Sequence, residues 1–162
     1  MVERAFQILT MGVIATMAID LWATFANGVL GWPRTNWRMV GRWIGHIPKG
    51  QFTHASIASS PSIRHELVIG WTFHYVVGCI YAGLYVLLVS AVQMYQPTLK
   101  SALLFGLATV LAPWFLLQPG LGLGIFASRA PRPNLVRLQN LIIHIMFGLA
   151  LYYSTSFSVQ FR

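Results

Sequence analysis

The sequence predicts an all-α fold: a polytopic membrane protein, a bundle of four transmembrane helices with an interfacial helical segment in the first loop. Three observations predict it. Of the 162 residues, 56% are hydrophobic and only 9% charged, whereas a soluble domain carries about 25% charged residues. Four apolar runs each reach the roughly 20 residues that cross about 30 Å of hydrocarbon as a helix. The basic residues gather in two of the connections between those runs instead of covering a surface.

The predicted spans are residues 6–30, 67–92, 99–126 and 135–156. No change of composition divides the chain, so it reads as a single transmembrane domain over 1–162. The first run carries Asp20, has no basic cluster ahead of it and exceeds a typical signal-peptide core, so it reads as a helix that stays in the membrane. Residues 31–66 form a long, basic connection rich in Trp, Pro and Ser. Within it Trp37, Val40 and Ile44 share one helical face and Arg38 and Arg42 another, the pattern of a short helix at the membrane interface. Ser60 followed by Pro61 predicts a capped helix start that runs unbroken into the second span. Residues 93–98 make a tight turn with Pro97. The third run holds Pro113, Gln118-Pro119 and a Gly-Leu-Gly-Leu-Gly string over 120–124, which predicts a kinked or broken helix, and Pro131 makes the connection after it stiff. The fourth run is uninterrupted.

Sidedness follows from Lys and Arg. Arg34, Arg38, Arg42, Lys49, Arg64, Arg129, Arg132 and Arg137 fall on one side, and Arg4, Lys100 and Arg162 on the other. The first and third loops are therefore expected in the cytoplasm and both termini outside. Trp32, Trp37, Trp43 and Trp71 would line the cytoplasmic boundary, and Tyr95, Tyr152 and Tyr153 the outer one. The net charge of +8 points to anionic lipid headgroups, with Arg38, Arg42, Arg129, Arg132 and Arg137 as headgroup-binding candidates. No nucleic-acid module fits the chain. Cys79 lies alone within an apolar run and reads as a small packing residue.

The informative residues are those that hydrocarbon should exclude. An ionisable side chain within a span costs several kcal/mol and normally turns to the protein interior and a partner. The first span carries Gly12, Thr16, Asp20, Thr24 and Asn27 along one face. The second carries Gly70, His74, Gly78 and Ala82, with Glu66 just before it; the fourth carries Asn140, His144 and Gly148. Such small or polar stripes mark packed faces. At 1.5 Å rise per residue, Asp20, His74, Gln118 and His144 sit roughly 10–15 Å from the cytoplasmic helix ends and can meet at one level. Asp20, His74 and His144, with His46, His54 and Glu66 from the first loop, are the candidate ligand or metal residues; Gln118, Asn140 and His65 support them. Two histidines on different helices suit a metal ion or a haem iron, and an Asp beside a His can share a proton. A structural hydrogen-bonded pair is the plainer alternative. Glu66 can also pair with Arg129, Arg132 or Arg137. No catalytic triad, phosphate loop or cysteine pair supports an enzyme assignment.

Several strings resemble a family of small bacterial inner-membrane proteins classed as a domain of unknown function. They are Met11-Gly12, Ala15-Thr16 and Asp20-Leu21-Trp22; Gly41-Arg42, Gly45-His46, Gly50, Phe52 and His54; Glu66, Gly70-Trp71 and His74-Tyr75; Gln118-Pro119-Gly120 and Gly122; and His144 with Phe147-Gly148. The likeness spans nearly the whole chain. It implies a four-span protein of the bacterial inner membrane and no particular activity. Three functions remain open: a ligand- or cofactor-binding protein using Asp20, His74 and His144; an accessory or assembly subunit of a larger membrane complex; and a small proton-coupled transporter, which would need a homo-oligomer to enclose enough volume.

Overall fold

The computed structural model describes residues 2–91 and 98–159, with side chains described as far as Ser154. The chain is helical, and four of its helical segments are long and apolar enough to cross a membrane: Val2–Leu30, Glu66–Ala91, Leu99–Gly120 and Pro133–Ser154. Helix α1 is Val2–Leu30, α2 Trp37–His46 and α3 Glu66–Ala91. The third span divides into α4 (Leu99–Thr109), a π-helical turn at Pro113–Leu117 and the short α5 (Gln118–Gly120). Helix α6 is Pro133–Val159.

The third span breaks as its prolines predict, since each removes a backbone N–H and crowds the preceding turn. It ends at Gly120, six residues earlier than expected, because the chain turns out through Gly122 and Gly124, both at positive φ. Phe126 and Ala127 also take positive φ, which non-glycine residues adopt only at a cost. The second span does not continue from Pro61. His65 sits at φ 60°, a left-handed conformation that no helix can pass through, and α3 starts at Glu66. The turn expected over 93–98 lies outside the described residues except for Thr98, as does Tyr95. Thr98 and Ser101 exchange side-chain-to-backbone hydrogen bonds and cap α4.

The helices are arranged as α2–α3–α1–α6–α4, each packed on the next. Glycines make the crossings close. A methyl group on Gly12 would meet the backbone of Cys79, on Gly41 that of Glu66 and Gly70, and on Gly106 that of His144 and Gly148. Cys79 is accordingly a packing residue at the α1–α3 crossing. Helix α2 runs antiparallel along the first turns of α3: Trp37 reaches His74, Gly41 meets Gly70, and Gly45 meets Ile63. Asn36 caps α2 through the backbone N–H groups of Arg38 and Met39.

Large apolar side chains such as Leu21, Phe25, Ile80, Leu87, Leu104 and Leu111 are exposed around the spans, as a lipid-facing belt requires. The apolar core, with Met11, Ala15, Tyr85, Ala102, Phe147 and Leu151, lies toward the end of the bundle that carries the chain termini. The polar side chains cluster toward the opposite end, beside the first and third loops.

Candidate functional site

Asp20 of α1 and His74 of α3 meet inside the bundle. The Asp20 Oδ1 accepts from His74 Nε2 at 3.0 Å, and Oδ2 accepts from the Tyr75 hydroxyl at 3.1 Å. One carboxylate thus engages two consecutive residues of α3. The chain has three acidic residues, and Asp20 is the one within the depth of a span. Among the described residues its ion-pair partner is His74, with no lysine or arginine. Trp37, from the first turn of α2, stacks face to face on the His74 ring, with centroids 3.9 Å apart and planes at 25°. Trp71 borders the same ring at 5.9 Å. An aromatic cover therefore closes the pair on the side of the first loop.

His144 joins a different set. Its Nδ1 lies 2.7 Å from the Thr109 hydroxyl, which also bonds the Gly106 carbonyl. Asn140, one turn earlier on α6, accepts from Trp114 Nε1 at 3.2 Å and from Gln118 Nε2 at 2.6 Å. The stripe Asn140, His144, Gly148 is a packed face, as its spacing predicts, and its partner is the broken third span. Asp20 and His74 are thus brought together, while His144 and Gln118 are bonded elsewhere. The stripe of α1 holds only in part: Gly12 and Thr16 are buried, but Thr24 and Asn27 are exposed.

Arg42 and Glu66 form the third set. Arg42 Nε and Nη2 hold the two carboxylate oxygens at 2.9 and 3.1 Å, and Nη1 donates to the carbonyls of Ile57, Ala58 and Ser60. Arg38 approaches the same carboxylate at 3.6 Å. Both partners are buried. Hydrogen bonding to Glu66 raises the Arg42 pKa above its ordinary value, outweighing the opposing effect of burial. This departs from expectation on two points. Arg42 is turned inward and cannot serve lipid headgroups, and Glu66 pairs with it instead of with Arg129, Arg132 or Arg137. Arg137 donates to Phe126 O and Asn134, and Arg132 to Gly31 O. Arg38, Arg129 and Arg132 remain exposed.

The fourth set links the two loops. His46 Nδ1 and His54 Nε2 stand 3.0 Å apart; His46 Nε2 reaches Pro61 O, and His54 Nδ1 reaches Gly120 O at the end of the third span. His65 is exposed and joins none of these sets.

Among the described residues, no three His, Cys, Asp or Glu side chains stand close enough to hold a metal ion. His46 and His54 face each other, whereas His74 and His144 have separate partners on other helices. Trp37 and Tyr75 are marked in the sequence only as an interface residue and as part of the family resemblance, not as site residues, and Gln139 is not marked at all. Gln139 is buried with neither amide atom partnered. It was detectable by the same test that singled out Asn140, a polar side chain inside an apolar run. Trp37 gave no such signal, because a Trp near a helix end reads equally as interface.

The geometry alone names no activity, and comparison with known proteins supplies a family. A family model described as a protein of unknown function, DUF2938, matches residues 9–158. The chain belongs to the DUF2938 family. The match takes in all four sets of paired side chains, so the DUF2938 region contains Asp20 through His144. No curated protein and no solved structure matches the chain.

Proposed function

We propose that the protein handles protons within the bilayer, as a small proton-coupled transporter whose carrier site is Asp20–His74–Tyr75 under the Trp37 cover. The observation behind this reading is that, among the described residues, the Asp20 carboxylate is bonded by an imidazole and a phenol, groups that themselves exchange protons. A charge in hydrocarbon is costly without a partner. The pair is neutral overall when it holds one proton, either as carboxylate with imidazolium or as acid with imidazole, and it carries net charge when that proton leaves. Intramembrane pairs of this kind are what proton relays require. A metal or haem centre has less support, since the imidazoles that would ligate it are already bonded to different helices. In this reading the first and third loops face the cytoplasm of a bacterial inner membrane, as the basic residues argue.

A specific observation also favours an accessory subunit. Helices α3 and α4 meet through the rings of Tyr81, Tyr85 and Phe105, and an apolar groove of about 460 Å3 opens between them beside Tyr81, Phe105, Thr109 and Phe115. In that case a helix of a membrane partner fills the groove.

Proteoliposomes loaded with a pH-sensitive dye and given a potassium diffusion potential test the first reading. Proton flux above that of empty vesicles is expected, and Asp20→Asn, which keeps the size of the side chain, should abolish it in a protein that still folds. Flux equal to that of empty vesicles would overturn the transporter reading. If a membrane protein also co-purified in mild detergent, the accessory reading would take its place.

A further inference from the structure

We propose that His46 and His54 form a binding site for one proton, held between the two rings, which fastens α2 and the first loop to the end of the third span. The site is separate from Asp20–His74 and stands independently of the function proposed above.

The argument is a count of donors. His46 Nε2 lies 3.0 Å from the Pro61 carbonyl oxygen, and His54 Nδ1 lies 3.0 Å from the Gly120 carbonyl oxygen. A carbonyl oxygen has no hydrogen to donate, so both of these nitrogens must carry one. A neutral imidazole has a single N–H. Each neutral ring has then committed its hydrogen outward. The remaining nitrogens, His46 Nδ1 and His54 Nε2, face each other at 3.0 Å. Two bare lone pairs at that distance repel; one added proton between them turns the contact into an N–H···N hydrogen bond. All three contacts exist together only when the two rings share three protons, so the closed pair carries one positive charge.

The surroundings supply no counter-charge for the added proton. On α2, Arg42 lies one turn before His46 and Arg38 one turn before that; from α3, Glu66 faces Arg42 and is fully engaged by it. Lys49 follows α2, and Arg64 and His65 follow Pro61; all three are exposed. From the third loop Arg129 packs against Gly124, and α5 contributes the uncharged Gln118. The nearest acid is thus already neutralised, and every other charged neighbour is basic. No carboxylate holds the extra proton in place. With the added proton gone, the two lone pairs face each other again and the contact between the rings is lost. Gly122, which packs on the backbone of His54 and Ala55, lies in the same seam, so opening separates the first loop from the third.

Nitrogen-15 NMR of the full-length protein in nanodiscs, with labelled histidine, tests the site directly. At mildly acidic pH the expected result is three protonated ring nitrogens on His46 and His54 and a scalar coupling across the N–H···N contact. Two neutral rings, each with one bare nitrogen, would overturn it. So would a stoichiometric metal ion that is lost in His54→Gln. Limited trypsin cleavage at Lys49 and Arg64, normalised to a denatured control at each pH, gives a second measurement. The normalised rate should rise several-fold from acidic to alkaline pH in the wild type. It should stay flat in His54→Gln, whose amide can bond Gly120 without titrating. A flat wild-type profile overturns the proposal even if the variant does not fold.

Discussion

At the scale of single residues, the Arg42–Glu66 pair shows how a charge can be consumed by structure. The guanidinium spends its donors on one carboxylate and three loop carbonyls, which pins residues 57–60 against α2. Removing one member of a buried pair leaves the other charge uncompensated and costs about 3–5 kcal/mol. Arg42→Ala should therefore lower stability by about that much, read as a shifted midpoint of detergent-induced unfolding. Arg38→Ala, at an exposed and longer-range contact, should cost about 0–1 kcal/mol. Equal effects would show that Arg42 is not the anchor. Little of this pairing was legible in the sequence. The two residues lie 24 positions apart, and an arginine on the polar face of a short amphipathic helix looks the same whether it meets lipid or protein. Asp20 and His74 were legible, because each sits where hydrocarbon forbids it and so demands a partner. Their third partner, Tyr75, was not, since a tyrosine in a span requires no explanation.

Among elements, the crossings depend on glycine. Where an added methyl group would strike the backbone of a neighbouring helix, the helices must separate, and such overpacking costs about 1–3 kcal/mol. Gly41→Ala, Gly70→Ala and Gly106→Ala should each lower the unfolding midpoint accordingly. Gly28→Ala, where nothing lies within 4 Å, should leave it unchanged or raise it slightly through helix propensity. Indistinguishable effects at Gly28 and Gly106 would mean that the crossings are looser than described. Most of this scale could be read from spacing: Gly12, Gly70, Gly78 and Gly148 lie on the packed faces that their period of about four predicts. The errors fell where a local signal met a tertiary constraint. Ser60-Pro61 has the chemistry of a helix start, but Arg42 claims the Ser60 carbonyl and His65 turns left-handed, so α3 begins later. Thr24 and Asn27 extend the α1 stripe in sequence but are exposed while Ala26 between them is buried, and Asn27 donates instead to Trp32 O.

For the whole molecule, apolar packing and polar pairing are divided between the two ends of the bundle. The end carrying the termini is held by Met11, Tyr85, Phe147 and Leu151. The end carrying the loops is held by ion pairs and imidazole contacts, and it also bears most of the basic charge. With Arg42 turned inward, the residues left to meet a charged surface there include Arg34, Lys49, Arg64, Arg129 and Arg132, all exposed. A basic residue near an anionic leaflet is worth about 1 kcal/mol and is screened by salt. The protein should accordingly be more thermostable in nanodiscs containing anionic lipid than in zwitterionic ones, with the difference shrinking at high salt. Neutralising Arg129 and Arg132 together should remove about 2 kcal/mol of that difference. Arg42→Gln should destabilise the protein equally in both lipids, because its partner is Glu66 and not a headgroup. A lipid dependence that survived in the Arg129, Arg132 double variant but vanished in Arg42→Gln would reverse that assignment, and would mean that the buried ion pair gives way to lipid when a membrane is present.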